Sequence, residues 1–369
     1  MEHYRPTRAE ISIENFQHNI LSFLDHLSEE CELMSVVKAD AYGHGLIPMA
    51  QAALNAGASR LGVAIVEEAI ELRNAGIKAP ILVFGYTPPE AVQAAIERDI
   101  TLTVFTEDVV KNVIETAETL QKQAQLHIKV DSGMHRIGLK QVEDVLHLLH
   151  QNTSPFIKWE GIFTHFSDAD GEDPTYTEQQ FEHFLHVVET VESSYGHMPV
   201  KHCCNSAATI AYPSMHLDMV RVGVSLYGLY PNEHMEEIIN LKQVMSLKTA
   251  PVMIKTVRPG EPISYGKSFE PETPSKIATL PVGYADGWSR SLSNQGEVTI
   301  DGQRAPIVGK VCMDQTMIDV THIEEVKEVT LFGDRNEGAI SMQEVAEHMN
   351  TIHYEVACLI GKRVPRIYK

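Results

Sequence analysis

Two periodicities alternate along the chain up to about residue 230. Short apolar runs rich in β-branched residues occupy 33–37, 61–66, 81–84, 101–105, 126–130, 161–164, 200–204 and 219–222. Apolar positions at helical spacing lie between them, as at 46–55 and 66–74 and in the stretch opened by Pro174, and another such stretch at 14–27 precedes the first run. Period-2 or continuous apolar runs predict strands, and a three-to-four spacing predicts amphipathic helices. Eight strand–helix alternations predict a (β/α)8 barrel. A doubly wound open sheet is the alternative, but no GxGxxG loop follows the first run. After about residue 240 helical spacing fades and turn pairs appear: Pro259-Gly260, Asp301-Gly302 and Gly333-Asp334. The segments 275–281 and 306–311 alternate, and Asp301-Gly302 has the chemistry of a tight hairpin turn joining two such segments. The expected organisation is a barrel over 1–235 and a mostly β domain over 236–369.

Charge narrows the classes. Thirty Lys and Arg against 50 Asp and Glu give a formal charge of −20. That balance argues against nucleic-acid binding, which requires basic residues to neutralise phosphates, and against an anionic membrane surface. The N-terminal stretch is polar, and no apolar run approaches a membrane span. Cys31, Cys203, Cys204, Cys312 and Cys358 are odd in number and contain no CxxC pair, as expected of thiols in a reducing cytoplasm.

Barrel chemistry sits where strands end and βα loops begin. Those positions hold Lys38, Lys129, Arg136, His165, Asn205, Ser206, Arg221, Gly223 and Val224. Basic and small polar groups thus converge on one rim of an acidic protein, a setting for an anionic cofactor. Lys38 follows an apolar run, where partial desolvation favours the neutral, nucleophilic amine that forms Schiff bases; the alternative is a lysine reaching out to water. The segments after strands seven and eight suit a phosphate, unless Ser206 merely caps the next helix. Arg221 could be a structural ion-pair member, with Asp218 for instance, and His165 a satisfied core histidine. Arg136 could receive a carboxylate or be a solvated loop residue. In the β domain, Tyr265 stands at a turn in Ile263-Ser-Tyr265-Gly, and the loops around Tyr284 and Met313-Asp314 mix polar with apolar residues.

The segment Val37-Lys38-Ala-Asp-Ala-Tyr42-Gly-His-Gly resembles the pyridoxal-phosphate attachment motif of the alanine racemases. Asp131-Ser-Gly-Met-His-Arg136, Thr164-His165-Phe, Asn205-Ser206-Ala, Arg221-Val-Gly223-Val224, Ser264-Tyr265-Gly, Val282-Gly-Tyr284-Ala-Asp-Gly, Val311-Cys-Met313-Asp314 and His353-Tyr354-Glu resemble further blocks of that family, in its order. The resemblance implies that Lys38 carries pyridoxal 5'-phosphate and works on one face of the substrate Cα. It implies that Tyr265 of a partner subunit works on the other face, and so a homodimer. Tyr42, Ser206, Gly223, Val224 and Tyr354 are implied to hold the phosphate, Arg221 to face the pyridine nitrogen, and His165 to link Arg221 with Tyr265. Arg136 is implied to meet the substrate carboxylate, steadied by Lys129, and Met313 with Tyr284 to narrow the entrance. D-alanine supply for peptidoglycan is the implied role. Asp40, where many relatives have Asn, adds a charge expected to shift the pH optimum, and Lys267 is a second departure. The competing readings are a related enzyme acting on serine or decarboxylating an amino acid, a non-catalytic pyridoxal-phosphate binder, and a metal-dependent hydrolase. Scattered histidines without an HxH or HExxH pair speak against the last.

Overall fold

A computed structural model describes residues 4–369. The chain divides into two compact units. One comprises Phe16–Ala41 and Leu46–Leu241; the other gathers the segment ending at Asn15, the four residues Tyr42–Gly45, and Lys242–Lys369. The second unit therefore includes two segments that lie, in linear order, within the expected barrel range.

The first unit is the expected barrel. After β1 (Arg8–Ile11), the strands β2 (Glu32–Val36), β3 (Arg60–Val63), β4 (Ile81–Val83), β5 (Thr101–Val104), β6 (Ala124–Lys129), β7 (Ile157–Phe163), β8 (Val200–His202) and β9 (Met219–Val222) form one parallel sheet. Its order is β8-β7-β6-β5-β4-β3-β2-β9. Asp218 N donates to Lys201 O at 3.1 Å and Arg221 N to Cys204 O at 3.1 Å, bridging the remaining seam between β8 and β9. All eight runs read from the sequence lie on these strands. The interior is filled: Met34, Leu82, Val200 and Met219 pack together, with Phe84 against them. Helices follow the strands, the longest being Thr175–Ser194, which begins directly after Pro174.

The second unit carries two antiparallel-dominated sheets. The larger joins β14 (Gln303–Pro306), β13 (Glu297–Ile300), β16 (Val329–Phe332), β10 (Met245–Thr249), β1 and β17 (Arg366–Tyr368) in that order. The smaller joins β11 (Met253–Val257), β12 (Ser275–Leu280) and β15 (Thr316–Asp319). Asp301-Gly302 does turn a two-residue hairpin, between β13 and β14, with φ of 46° and 76°. Of the alternating stretch 306–311, Pro306 ends β14 opposite Glu297 and Ile307 makes an isolated bridge with Ile318, after which the backbone turns through Gly309 at φ 78°. Two helices, Met342–Met349 and His353–Leu359, were not foreseen.

Candidate active site

Lys38 lies two residues beyond β2, at the start of an unusual turn. Ala39, Asp40, Ala41 and Tyr42 all have φ between 52° and 54°, a left-handed helical turn without a glycine. L-residues tolerate this conformation at roughly 1–2 kcal/mol each, so surrounding bonds must hold it. Glu68 accepts from Ala39 N at 2.6 Å through one carboxylate oxygen and from Ala64 N at 2.8 Å through the other. It thereby ties the Lys38 turn to the end of β3. Asp40 Oδ1 accepts from Leu46 N at 2.7 Å, capping the next helix. The Asp40 carboxylate thus has a structural partner, which changes the expectation that it acts on the site's pH dependence.

The loop after β6 closes on itself. Leu139 N donates to Lys129 O and Asp131 N to Leu139 O, both at 2.9 Å. The Asp131 carboxylate receives Gly133 N and His135 N. A Cβ on Gly138 would lie 2.7 Å from Asp131 N, so the closure requires glycine there. Arg136 projects from this loop and is exposed, whereas Lys129 is buried with its Nζ 4.7 Å from the Phe163 ring centroid. Burial, then the charges of Arg221 and Arg136, hold the Lys129 amine well below its ordinary pKa.

Arg221 is the centre of the rim. Its NH1 donates to His202 Nδ1 at 2.9 Å. Its NH2 meets Thr164 O at 2.9 Å, Cys203 O at 3.0 Å and His165 Nδ1 at 3.1 Å. Burial lowers its pKa to about 10, which still leaves it charged at neutral pH. Asp218 pairs with Lys201 instead, at 3.2 Å. A guanidinium has only donors, so His165 accepts at Nδ1 and, when neutral, carries its proton on Nε2. Neutrality follows from burial and from the charges of Arg221, Lys129, Arg136 and Lys38, which push its pKa well below 6.5. That Arg221, Lys129, Arg136 and Lys38 all bear on one imidazole shows that the structure brings these residues together.

Beside them, the Asn205 side chain accepts from Ala208 N at 2.9 Å and so caps the helix Ser206–Ala211. The cap is Asn205, not Ser206. Ser206 Oγ instead accepts from Gly223 N at 2.9 Å, which leaves its hydroxyl hydrogen to donate; Val224 opens the following turn.

The remaining predicted residues belong to the β unit. Tyr42 is buried, and burial together with the neighbouring Tyr354 phenol pushes its hydroxyl above the usual pKa. Tyr265 is 72% exposed. Its loop is fixed by Ser264 Oγ donating to Lys310 O at 2.7 Å and by Gly309, where a Cβ would lie 2.6 Å from that of Ser264. Tyr284 N donates to Cys312 O and Ala285 N to Met313 O, both at 3.0 Å, which pairs the Tyr284 and Met313 loops. Asp314 is held by Arg363 at 2.7 Å.

The rim suits an anionic aldehyde. It presents lysine amines, guanidinium groups, a serine hydroxyl and backbone N–H groups, while its loop carboxylates are already taken up by backbone N–H groups, Asp131 by Gly133 and His135 and Asp40 by Leu46. Sequence reading missed His202, His127, Glu160 and Glu68. For His127 and His202 the available signal was a polar residue on an otherwise apolar strand; Glu68 lies on the helix Val66–Asn74, and Glu160 is turned inward by a register slip, so neither carried that signal.

Comparison with known proteins places the whole chain in one family. The family description "Alanine racemase, N-terminal domain" matches residues 11–231, and "Alanine racemase, C-terminal domain" matches 244–368. "Alanine racemase 2" of Oceanobacillus iheyensis is 56% identical over 368 residues, 99% of this chain and 94% of that relative. Alanine racemase of Methanococcus maripaludis is 46% identical, over 98% of each chain. Among solved structures, alanine racemase from Bacillus anthracis with bound L-Ala-P superposes with a TM-score of 0.94 at 38% identity, covering 100% of this chain and 96% of that one. The Clostridium difficile enzyme in complex with cycloserine gives 0.92 at 36% identity, with 100% and 96% covered.

Proposed function

We propose, for a chain that belongs to the alanine racemase family and is an alanine isomerase, that Lys38 and Tyr265 move the substrate proton on opposite faces of Cα. Inverting a stereocentre by proton transfer needs removal on one face and delivery on the other, and two opposed groups achieve this without either crossing the substrate. The observation that carries the reading is the Arg221 guanidinium donating to His165 Nδ1 at 3.1 Å. It fixes a neutral His165 with its proton on Nε2, a donor able to stabilise the anionic form of a tyrosine acid/base.

The donor set fits pyridoxal 5'-phosphate. Lys38 would hold it covalently. Ser206, the backbone of Gly223 and Val224, Tyr42 and Tyr354 would hold its phosphate, with Asn205 positioning the helix start. Arg221 would face its pyridine nitrogen. When bound, the cofactor supplies the electron sink that lets the Cα–H bond ionise. Arg221 keeps its own proton near neutral pH, so it would not protonate a ring nitrogen it faced, and more of the work would fall on the two acid/base groups.

The other residues bind and orient. Arg136 receives the substrate carboxylate as a charge-assisted pair. Lys129, its amine held well below its ordinary pKa by burial, can take up carbon dioxide through its unprotonated form and become an anion that steadies Arg136. Met313 and Tyr284, supported by Asp314, narrow the entrance to alanine-sized substrates. The exposed Tyr265 serves the site of a partner subunit, so the working form is a homodimer. The free cysteines support a cytoplasmic location, and membership of the family supports a role in supplying D-alanine.

The experiment compares wild type, Lys38→Ala and Tyr265→Phe after loading with pyridoxal phosphate. Lys38→Ala is expected to lose the visible absorption of lysine-bound cofactor and all racemisation. Tyr265→Phe keeps the absorption and loses most racemisation. A Tyr265→Phe variant as active as wild type rejects the two-base assignment.

A further inference from the structure

We propose that Glu160, deep in the barrel, orders the protons around Arg221 through His127 and His202, and is thereby a positioning residue for the reaction. The functional part of this proposal rests on the reading that Arg221 faces the cofactor.

Arg221 NH1 can only donate, so His202 Nδ1, 2.9 Å away, must accept. A neutral imidazole carries one N–H, which His202 must then place on Nε2. That nitrogen lies 2.9 Å from His127 Nδ1. His127 accepts there and carries its own proton on Nε2, 3.2 Å from Glu160 Oε2. Burial holds both rings below the ordinary histidine pKa, which keeps them neutral. Every hydrogen bond therefore points away from Arg221 and ends on a carboxylate. Thr101 Oγ1 also donates to Glu160 Oε2, at 3.5 Å. The other oxygen, Oε1, accepts from Arg60 NH1 at 3.2 Å, and Arg60 Nε donates to Glu32 at 2.5 Å. Burial pushes the Glu160 pKa up, but the His127 hydrogen bond and the Arg60 charge bring it down to about 2.

The backbone is shaped for this chain. The β6–β7 register slips between Leu126 and His127: Leu126 faces Trp159 and His127 faces Gly161. Glu160 is the extra residue of that bulge, and bulges re-aim side chains. A Cβ on Gly161 would lie 2.6 Å from His127 Cε1, so this glycine makes room for the ring. The His202 ring stacks on Phe163, with centroids 4.7 Å apart and planes within 4°. Reversing the chain would aim His202 Nδ1–H at Arg221 NH1, two donors face to face. A carboxylate enforces the direction because it cannot donate to His127; an amide can.

Glu160→Gln is the test. Its amide must either aim its N–H₂ at Arg60, again donor against donor, or aim it at His127 and reverse both rings. In Arg60→Met/Glu160→Gln the near opposing donor is gone and only the half-exposed Lys158 ammonium remains, 4.0 Å away and able to turn to water, so the amide oxygen can face His127 and the original direction returns. Ring-nitrogen NMR of ¹⁵N-histidine-labelled protein without cofactor reads the tautomers. Racemisation by the loaded enzyme reads the consequence. The expected result is altered tautomers and a kcat loss of about tenfold or more in Glu160→Gln, the scale at which outer-shell partners act. The double variant is expected to recover both, and Arg60→Met alone to keep the wild-type tautomers. Unchanged tautomers in Glu160→Gln, altered tautomers with unaltered kcat, or a double variant worse than Glu160→Gln would each overturn the proposal. A wild type that fails to racemise alanine rejects the functional reading instead, because the tautomer measurement involves neither cofactor nor substrate.

Discussion

Replacing Ala39 by glycine is expected to stabilise the protein, against the usual effect of glycine. Ala39 sits at φ 53°, ψ 54°, and its side chain is exposed. The substitution relieves a left-handed penalty of roughly 1–2 kcal/mol. It adds roughly 0.5–1 kcal/mol of unfolded-chain entropy. No packing is lost, so the net gain is about 0.5–1 kcal/mol. Ala41 is the internal control: φ is 54° but the methyl is fully buried. Its removal forfeits about 0.8 kcal/mol of burial, so Ala41→Gly is expected near zero. Urea unfolding of cofactor-free protein measures both, with an unchanged m-value as the condition for comparison. The turn begins at Lys38, so Ala39→Gly should also lower kcat as the lysine gains freedom. A destabilisation of about 0.5 kcal/mol or more by Ala39→Gly refutes the reasoning, since that is how glycine behaves in ordinary right-handed turns.

Other expectations are equally direct. Asp40→Ala removes the cap on Leu46 N and should cost about 1 kcal/mol, whereas Asp40→Asn, which caps as well, should leave stability and pH optimum close to wild type; a shifted optimum in Asp40→Asn would restore an electrostatic role. Burial lowers the His353 pKa from 6.5 to about 4, so its contribution to stability is complete above pH 6.5 and is lost as pH falls through about 4. His353→Asn should flatten the stability profile across that window, as followed by thermal unfolding. Lys129, whose pKa burial pushes well down, should form a carbamate from its unprotonated amine with ¹³C-labelled carbon dioxide, releasing one proton, and Lys129→Met should lose that ¹³C resonance.

The barrel was legible because its strands are buried on both faces. They therefore read as short, mostly apolar runs, wholly apolar in Ile81–Val83, and the intervening helices declare their own period. β1 was not legible: Arg-Ala-Glu-Ile is too short to show a period, and its partners, Met245–Thr249 and Arg366–Tyr368, lie far along the chain. The turn after Lys38 was not legible either. Ala-Asp-Ala contains no residue that demands positive φ, and the conformation comes from Glu68 and Asp40. Rim residues such as Lys38, His165 and Arg221 could be picked out by their place at strand ends. Glu160 could not, because the register slip that turns it inward is a property of strand pairing and leaves no mark in the local sequence.

The account turns on Lys38 and Tyr265 working on one substrate from two subunits. Lys38→Ala and Tyr265→Phe, each inactive alone, should be mixed, exchanged through mild denaturant and reloaded with pyridoxal phosphate. Statistical exchange makes about half the dimers mixed, each with one site that holds both native residues, so about a quarter of wild-type activity should return. Recovery at that level is the predicted result. A mixture that exchanges subunits yet stays as inactive as its components would contradict the account.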